Sequence, residues 1–129
     1  MFKINNEDKS IHATRGDVLF FSVGAMQGEE VYMFQPGELV RFKVYGKKDA
    51  NNVLLQKDFH VYEEQNLVDV TLTREDTRFG DLISKPTDYW YEVELNPETT
   101  PQTLIGYDED GAKVLTLYPE GRDKEPDET

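Results

Sequence analysis

Cysteine is absent from the chain, so neither a disulfide framework nor a thiolate metal centre is available to hold it together. Long apolar runs are missing as well. Nothing approaches the ~20 residues that cross a bilayer as a helix, and no basic start leads into the apolar stretch of a secretory leader. A membrane partner and a signal peptide are therefore not expected. Bases are scarce: 14 Lys and Arg stand against 26 Asp and Glu, a formal net charge of −12. Such a surface repels phosphate backbones, so no nucleic acid partner is expected either. Also lacking is any stretch with sustained helical periodicity.

What the chain does contain is alternation of period two. Tyr89-Trp90-Tyr91-Glu92-Val93-Glu94-Leu95 sets Tyr89, Tyr91, Val93 and Leu95 on one side of an extended strand and Trp90, Glu92 and Glu94 on the other. Aromatic and β-branched residues suit a pleated, half-buried surface, which makes this ribbon the organising strand. Val40, Phe42 and Val44 repeat the pattern, as do Leu55, Phe59 and Val61, and then Val68, Val70 and Leu72. Lys57 interrupts its apolar side and predicts a strand end or bulge nearby. Leu19-Phe20-Phe21 is consecutive, predicting a strand buried on both faces or lying at a contact.

Turn chemistry separates these runs. Pro36-Gly37, the Gly46–Asn52 segment and Asn96–Pro101 read as connections. Asp110-Gly111 between Thr103–Tyr107 and Ala112–Tyr118 predicts a hairpin joining those two runs. Thr73-Arg74-Glu75-Asp76 carries capping residues for one short helical turn near 74–82. The expected fold is all-β: an immunoglobulin-like sandwich of about eight or nine short antiparallel strands over residues 1–118. Residues 119–129 hold five acids, two bases and no apolar side chain, and are expected to form a disordered acidic tail.

Chemistry is hard to find. Glu92 and Glu94, i and i+2 on a strand, lie about 7 Å apart, a separation that carboxylate pairs use; a solvated outer face looks the same. His12 and His60 are the only histidines, and neither has neighbours at metal-ligand spacing. Asp108-Glu109-Asp110-Gly111 fails the calcium-loop register, which places Gly106 and Leu117 at ligand positions. No nucleophile elbow or phosphate loop occurs. No catalytic residue, cofactor or metal is expected, and the chain is read as a non-enzyme. The residues expected to touch a partner are Trp90, Tyr32, Phe34, Tyr45 and His60, since Tyr and Trp bury much area with few torsions.

Several motifs occur in one order: Gly16-Asp17 before an apolar strand, Arg41-Phe42-Lys43-Val44-Tyr45 with its Lys-Lys-Asp turn, Leu72-Thr73-Arg74-Glu75-Asp76-Thr77, and Tyr89–Leu95. Over roughly residues 8–118 the chain resembles the immunoglobulin-like N-terminal domain of siphophage baseplate upper proteins and related small prophage tail proteins of Gram-positive bacteria. The resemblance implies a structural, non-enzymatic module of a phage tail or baseplate. Such a module is made in the bacterial cytoplasm, is carried in the virion and docks onto other tail proteins or further copies of itself. The matching motifs hold a fold and transfer no functional residue. The alternative reading is a carbohydrate-binding module of a bacterial surface or secreted protein, stacking sugars on Trp90.

Overall fold

The computed structural model describes residues 2–5, 7–47 and 51–121. Eleven strands run through the described residues: β1 (Phe2–Ile4), β2 (Ile11–Thr14), β3 (Leu19–Val23), β4 (Met26–Gln27), β5 (Glu30–Val31), β6 (Leu39–Gly46), β7 (Val53–His60), β8 (Val68–Leu72), β9 (Thr87–Leu95), β10 (Gln102–Ile105) and β11 (Lys113–Tyr118). One 3₁₀ turn, Asp76–Arg78, lies inside the span expected for it. The count exceeds eight or nine chiefly because Met26–Val31 folds as a hairpin of two tiny strands.

The main sheet has the order β1-β2-β11-β9-β6-β7, with β10 also bonded to β9. Facing it is the two-stranded sheet β3-β8. Strands β11-β9-β6-β7 against β3-β8 reproduce the G-F-C-C′ and B-E arrangement of an immunoglobulin-type sandwich. Burial follows the alternation: Val40, Phe42, Val44, Val68, Val70, Leu72, Tyr89, Tyr91, Val93 and Leu95 are all buried. Immunoglobulin domains commonly pin their sheets with a disulfide against a tryptophan. In this cysteine-free core, aromatic rings from three strands meet instead. Phe21 of β3 lies edge-on to Phe42 of β6 at 6.1 Å, and Phe42 contacts Tyr91 of β9 at 5.6 Å. The Tyr91 hydroxyl donates to the Lys9 carbonyl, so even the polar end of this ring is satisfied.

Four expectations change. First, the pairing is not wholly antiparallel, because β2 runs parallel to β11 with Ile11 opposite Leu115 and Thr14 opposite Tyr118. The chain then leaves this sheet through the Gly16-Asp17 turn and enters the opposite sheet as β3. Second, Thr103–Tyr107 and Ala112–Tyr118 do not pair with each other. Strands β10 and β11 lie in succession along one side of β9, and Asp108 to Gly111 is a small excursion closed by two backbone bonds. Local turn chemistry is satisfied there, while the longer ladder goes to β9. Third, of the two readings of β3, burial on both faces is excluded: Leu19, Phe21 and Val23 point in, and Phe20 is 63% exposed. Fourth, the stretch expected to be a disordered tail begins with an anchor, as Glu120 accepts from Arg78 Nε at 2.9 Å and from its Nη2 at 3.2 Å. The rest of that stretch, 122–129, lies outside the described residues. Lys57 does sit near a bulge, between Val44 and Tyr45 of the adjacent strand, and its ammonium reaches Asp76 at 3.1 Å.

The end of the sandwich bearing the 3₁₀ turn is locked by polar contacts. The Thr77 hydroxyl accepts from Gly16 N–H at 3.0 Å and donates to the Asp17 carbonyl at 2.8 Å. Thr73 and Asp76 exchange bonds in the manner of a capping box, Thr73 N–H to the Asp76 carboxylate at 2.8 Å and Asp76 N–H to Thr73 Oγ1 at 3.2 Å. Gly16 has φ +90°, and a methyl there would fall 2.6 Å from Glu120 Oε1. Two of the motifs noted in the sequence thus meet at this lock, where they hold the fold.

Candidate functional site

The opposite end is built from connections. Residues 24–38 join β3 to β6, residues 61–67 join β7 to β8, and residues 96–101 join β9 to β10. Register brings them together, since Val23 faces Val68, Val40 faces Leu95, and Leu95 faces Gln102. Within the first connection, β4 and β5 project as a hairpin with Met26 opposite Val31. Its two-residue loop, Gly28-Glu29, has positive φ at Gly28 alone, the sign pattern of a II′ turn.

These connections are fastened by one carboxylate. Glu38 accepts from the Tyr32 hydroxyl at 2.9 and 2.7 Å, from Gln35 N–H at 2.8 Å and from the Asn96 side-chain amide at 2.9 Å. Asn96 in turn accepts from Leu39 N–H at 3.1 Å through its side-chain oxygen. Burial pushes the Glu38 carboxyl up, but the bonds from Gln35, Tyr32 and Asn96 outweigh it and hold the group below the usual carboxylate range. Its acceptance of the phenolic hydrogen raises Tyr32, reinforced by burial. Phe34 and Gln65 exchange backbone bonds at 2.7 and 3.1 Å, stitching the first connection to the second.

Between the connections lies a recess of about 670 Å³, lined by Ala25, Met26, Tyr32 and Glu38 on one side and by Leu67, Leu95, Asn96 and Leu104 on the others. Its volume falls within the range of ligand clefts. Around it the chain leaves large apolar side chains in solvent: Met26 is 62% exposed, Val31 53%, and Met33 and Leu67 lie between 40% and 48%. Tyr62, on the second connection, is 82% exposed.

No protein-family model matches the chain, and no curated protein matches it.

The five residues expected to touch a partner do not form one surface. Phe34 is 0% exposed, a core anchor packed edge-on against Tyr32 at 5.2 Å, and so cannot meet a partner. An aromatic beside Pro36-Gly37 resembles a loop residue, but the backbone exchange with Gln65 turns its ring inward. Tyr32 is half-buried at the recess wall. Trp90 and Tyr45 are register partners on the outer face of the main sheet, both half-buried. His60 is exposed at the end of β7, 6.3 Å from Tyr62.

The outer face of the main sheet absorbs the acidic pair. Lys43 reaches Glu94 at 3.1 Å and Glu92 at 3.5 Å, and the Tyr45 hydroxyl donates to Glu92. Arg41 forms a fork to Asp58 at 2.7 and 3.0 Å and adds Glu98 at 2.9 Å. The Lys43 ammonium thus bridges Glu92 and Glu94, where a glycosidic oxygen would have to enter. Among the described residues no group of three or more His, Asp or Glu is arranged to hold a metal. Missed by sequence reasoning were Met26 and Val31, on a hairpin too short to leave a periodic signal, and Met33 and Leu67, on irregular connections that have none.

Proposed function

We propose that this protein is a non-enzymatic docking module of a phage tail or baseplate, and that it binds a neighbouring tail protein through the loop-rimmed end of its sandwich. The observation carrying this reading is that Met26, Val31 and Leu67, all solvent-exposed, line one recess, with exposed Met33 and Tyr62 on the same connections. Contiguous exposed apolar surface marks interaction sites, and Met, unbranched and polarizable, adapts to a partner's contours. The resemblance of the strand motifs to baseplate domains supports the tail setting. A scaffold whose far end is locked while its loops carry the contact surface is the usual division of labour in such sandwiches.

The test is to mix the purified chain with the tail and baseplate proteins encoded beside it and measure mass by native mass spectrometry. A complex is expected with at least one of them, abolished by Met26→Asp with Leu67→Asp. No complex with any tail component, or one indifferent to both substitutions, overturns the reading.

A further inference from the structure

Resting on that docking reading, we infer that the segment seated at the loop end is a basic stretch of a partner protein. It places an apolar side chain in the recess and lysines or arginines around it. The argument is one of charge. Residues 24–38, 61–67 and 96–104 contain six acids and no Lys or Arg. Two of the six are internally engaged, Glu38 by Tyr32 and Asn96 and Glu98 by Arg41. The other four, Glu29, Glu30, Glu63 and Glu64, are exposed and make no ion pair among the described residues.

Arg41 is held by Asp58 and Glu98, and Lys9 lines a neighbouring hollow beside Thr103 and Leu104 rather than the recess itself. On the outer face of the main sheet and at the locked end, by contrast, acids are matched by bases, as in Arg41 with Asp58, Lys43 with Glu94, and Arg78 with Glu120. The loop end combines four unpaired carboxylates, four exposed apolar side chains and a recess, a larger gathering than Asp81 beside Leu82 or Glu109 and Asp110 beside Tyr107. Opposed potentials steer encounter and reject wrong partners. A second copy presenting the same end would bring four more uncompensated carboxylates against these, so self-association through this face is disfavoured. A small cation would leave Tyr62 and Met33, which do not line the recess, uncovered.

The experiment titrates the full chain, labelled with nitrogen-15, with three synthetic peptides. In the first, lysines flank a central Leu-Phe pair; the second replaces every lysine by glutamate; the third replaces Leu-Phe by Ser-Ser. With the first peptide, amide shifts are expected within 24–38, 61–67 and 96–104. Affinity should fall about tenfold in the variant carrying Glu29→Gln, Glu30→Gln, Glu63→Gln and Glu64→Gln. The glutamate peptide should not bind, and the serine peptide should bind only at low salt. Equal binding of the lysine and glutamate peptides, unchanged affinity of the fourfold variant, or shifts scattered over all acidic surfaces would overturn the inference. So would the absence of any shift. The docking reading is judged separately: a tail-protein complex that Met26→Asp and Leu67→Asp abolish but the fourfold variant leaves intact sinks the basic partner and keeps the docking site.

Discussion

The Tyr32 hydroxyl donates to both oxygens of the Glu38 carboxylate, at 2.9 and 2.7 Å, and through that carboxylate the connection before β6 is tied to Asn96 after β9. Asn96 itself adopts a left-handed conformation, φ +51°, which its bonds to Leu39 and Glu38 help to hold. Two loops far apart in sequence are thus positioned by a single charged group.

Glu38→Ala should therefore destabilise the domain by about 2–3 kcal/mol, since hydrogen bonds to a charged group are lost and Asn96 keeps an unmet donor. Tyr32→Phe removes one donor and should cost roughly 1 kcal/mol. Urea denaturation of both variants measures the difference. Equal, negligible losses would show that the loops are held by packing alone.

Acid should weaken the fold. Asp58 lies below the usual carboxylate range because the Arg41 guanidinium binds it. For Asp76, burial acts upward but the Thr73 N–H and Lys57 outweigh it, and Glu38 behaves likewise with its own donors. Groups whose folded-state pKa is depressed bind fewer protons in the native state, so their contribution is present above the unfolded value and fades as pH falls through the folded one. Melting temperature followed by circular dichroism should be level from about pH 7 to 5 and drop below about pH 4. A rise on acidification would mean that relief of the −12 net charge outweighs these three groups.

Tyr91 tests the core. Tyr91→Phe loses the bond to the Lys9 carbonyl and should cost about 0.5–1.5 kcal/mol, whereas Tyr91→Ala empties the space beside Phe42 and should cost about 3–5 kcal/mol. Equal costs in thermal or chemical denaturation would mean the ring fills no tight site.

Phe20 and Phe21, adjacent in sequence, should part company. Phe20 is 63% exposed beside its cross-strand partner Thr71, and Phe20→Ser should cost under about 1 kcal/mol. Phe21 meets Phe42 edge-on in the core, and Phe21→Ser should cost upward of about 3 kcal/mol. Matching penalties in the two denaturation curves would refute the one-sided burial of β3.

The strands that were easiest to read, β6, β8 and β9, are those in which strict alternation meets a dry interior: Val40, Val70 and Val93 are all fully buried. Alternation reports which side is apolar, and these strands have one. Where period two breaks, sequence reasoning lost the side chain. Leu19-Phe20-Phe21 carries no alternation, and only the pairing with β8 decides that Phe20 faces out. Phe34 sits beside a turn and is drawn inward by a bond to Gln65, thirty-one residues on, which no local pattern announces. The Asp110-Gly111 turn was legible, but its flanking runs had a better partner in β9. The loop-end surface was the least legible part, because it is assembled from three connections that share no periodicity.

The parallel pairing of β2 with β11 has a mechanical corollary. Opposed pulls applied ahead of Ile11 and beyond Tyr118 run along these two strands, so the four register pairs from Ile11–Leu115 to Thr14–Tyr118 are loaded in shear and share the tension. An antiparallel pair pulled from one end would open bond by bond, like a zip. This geometry makes the seam between β2 and β11 the part of the domain best placed to resist stretching along its length.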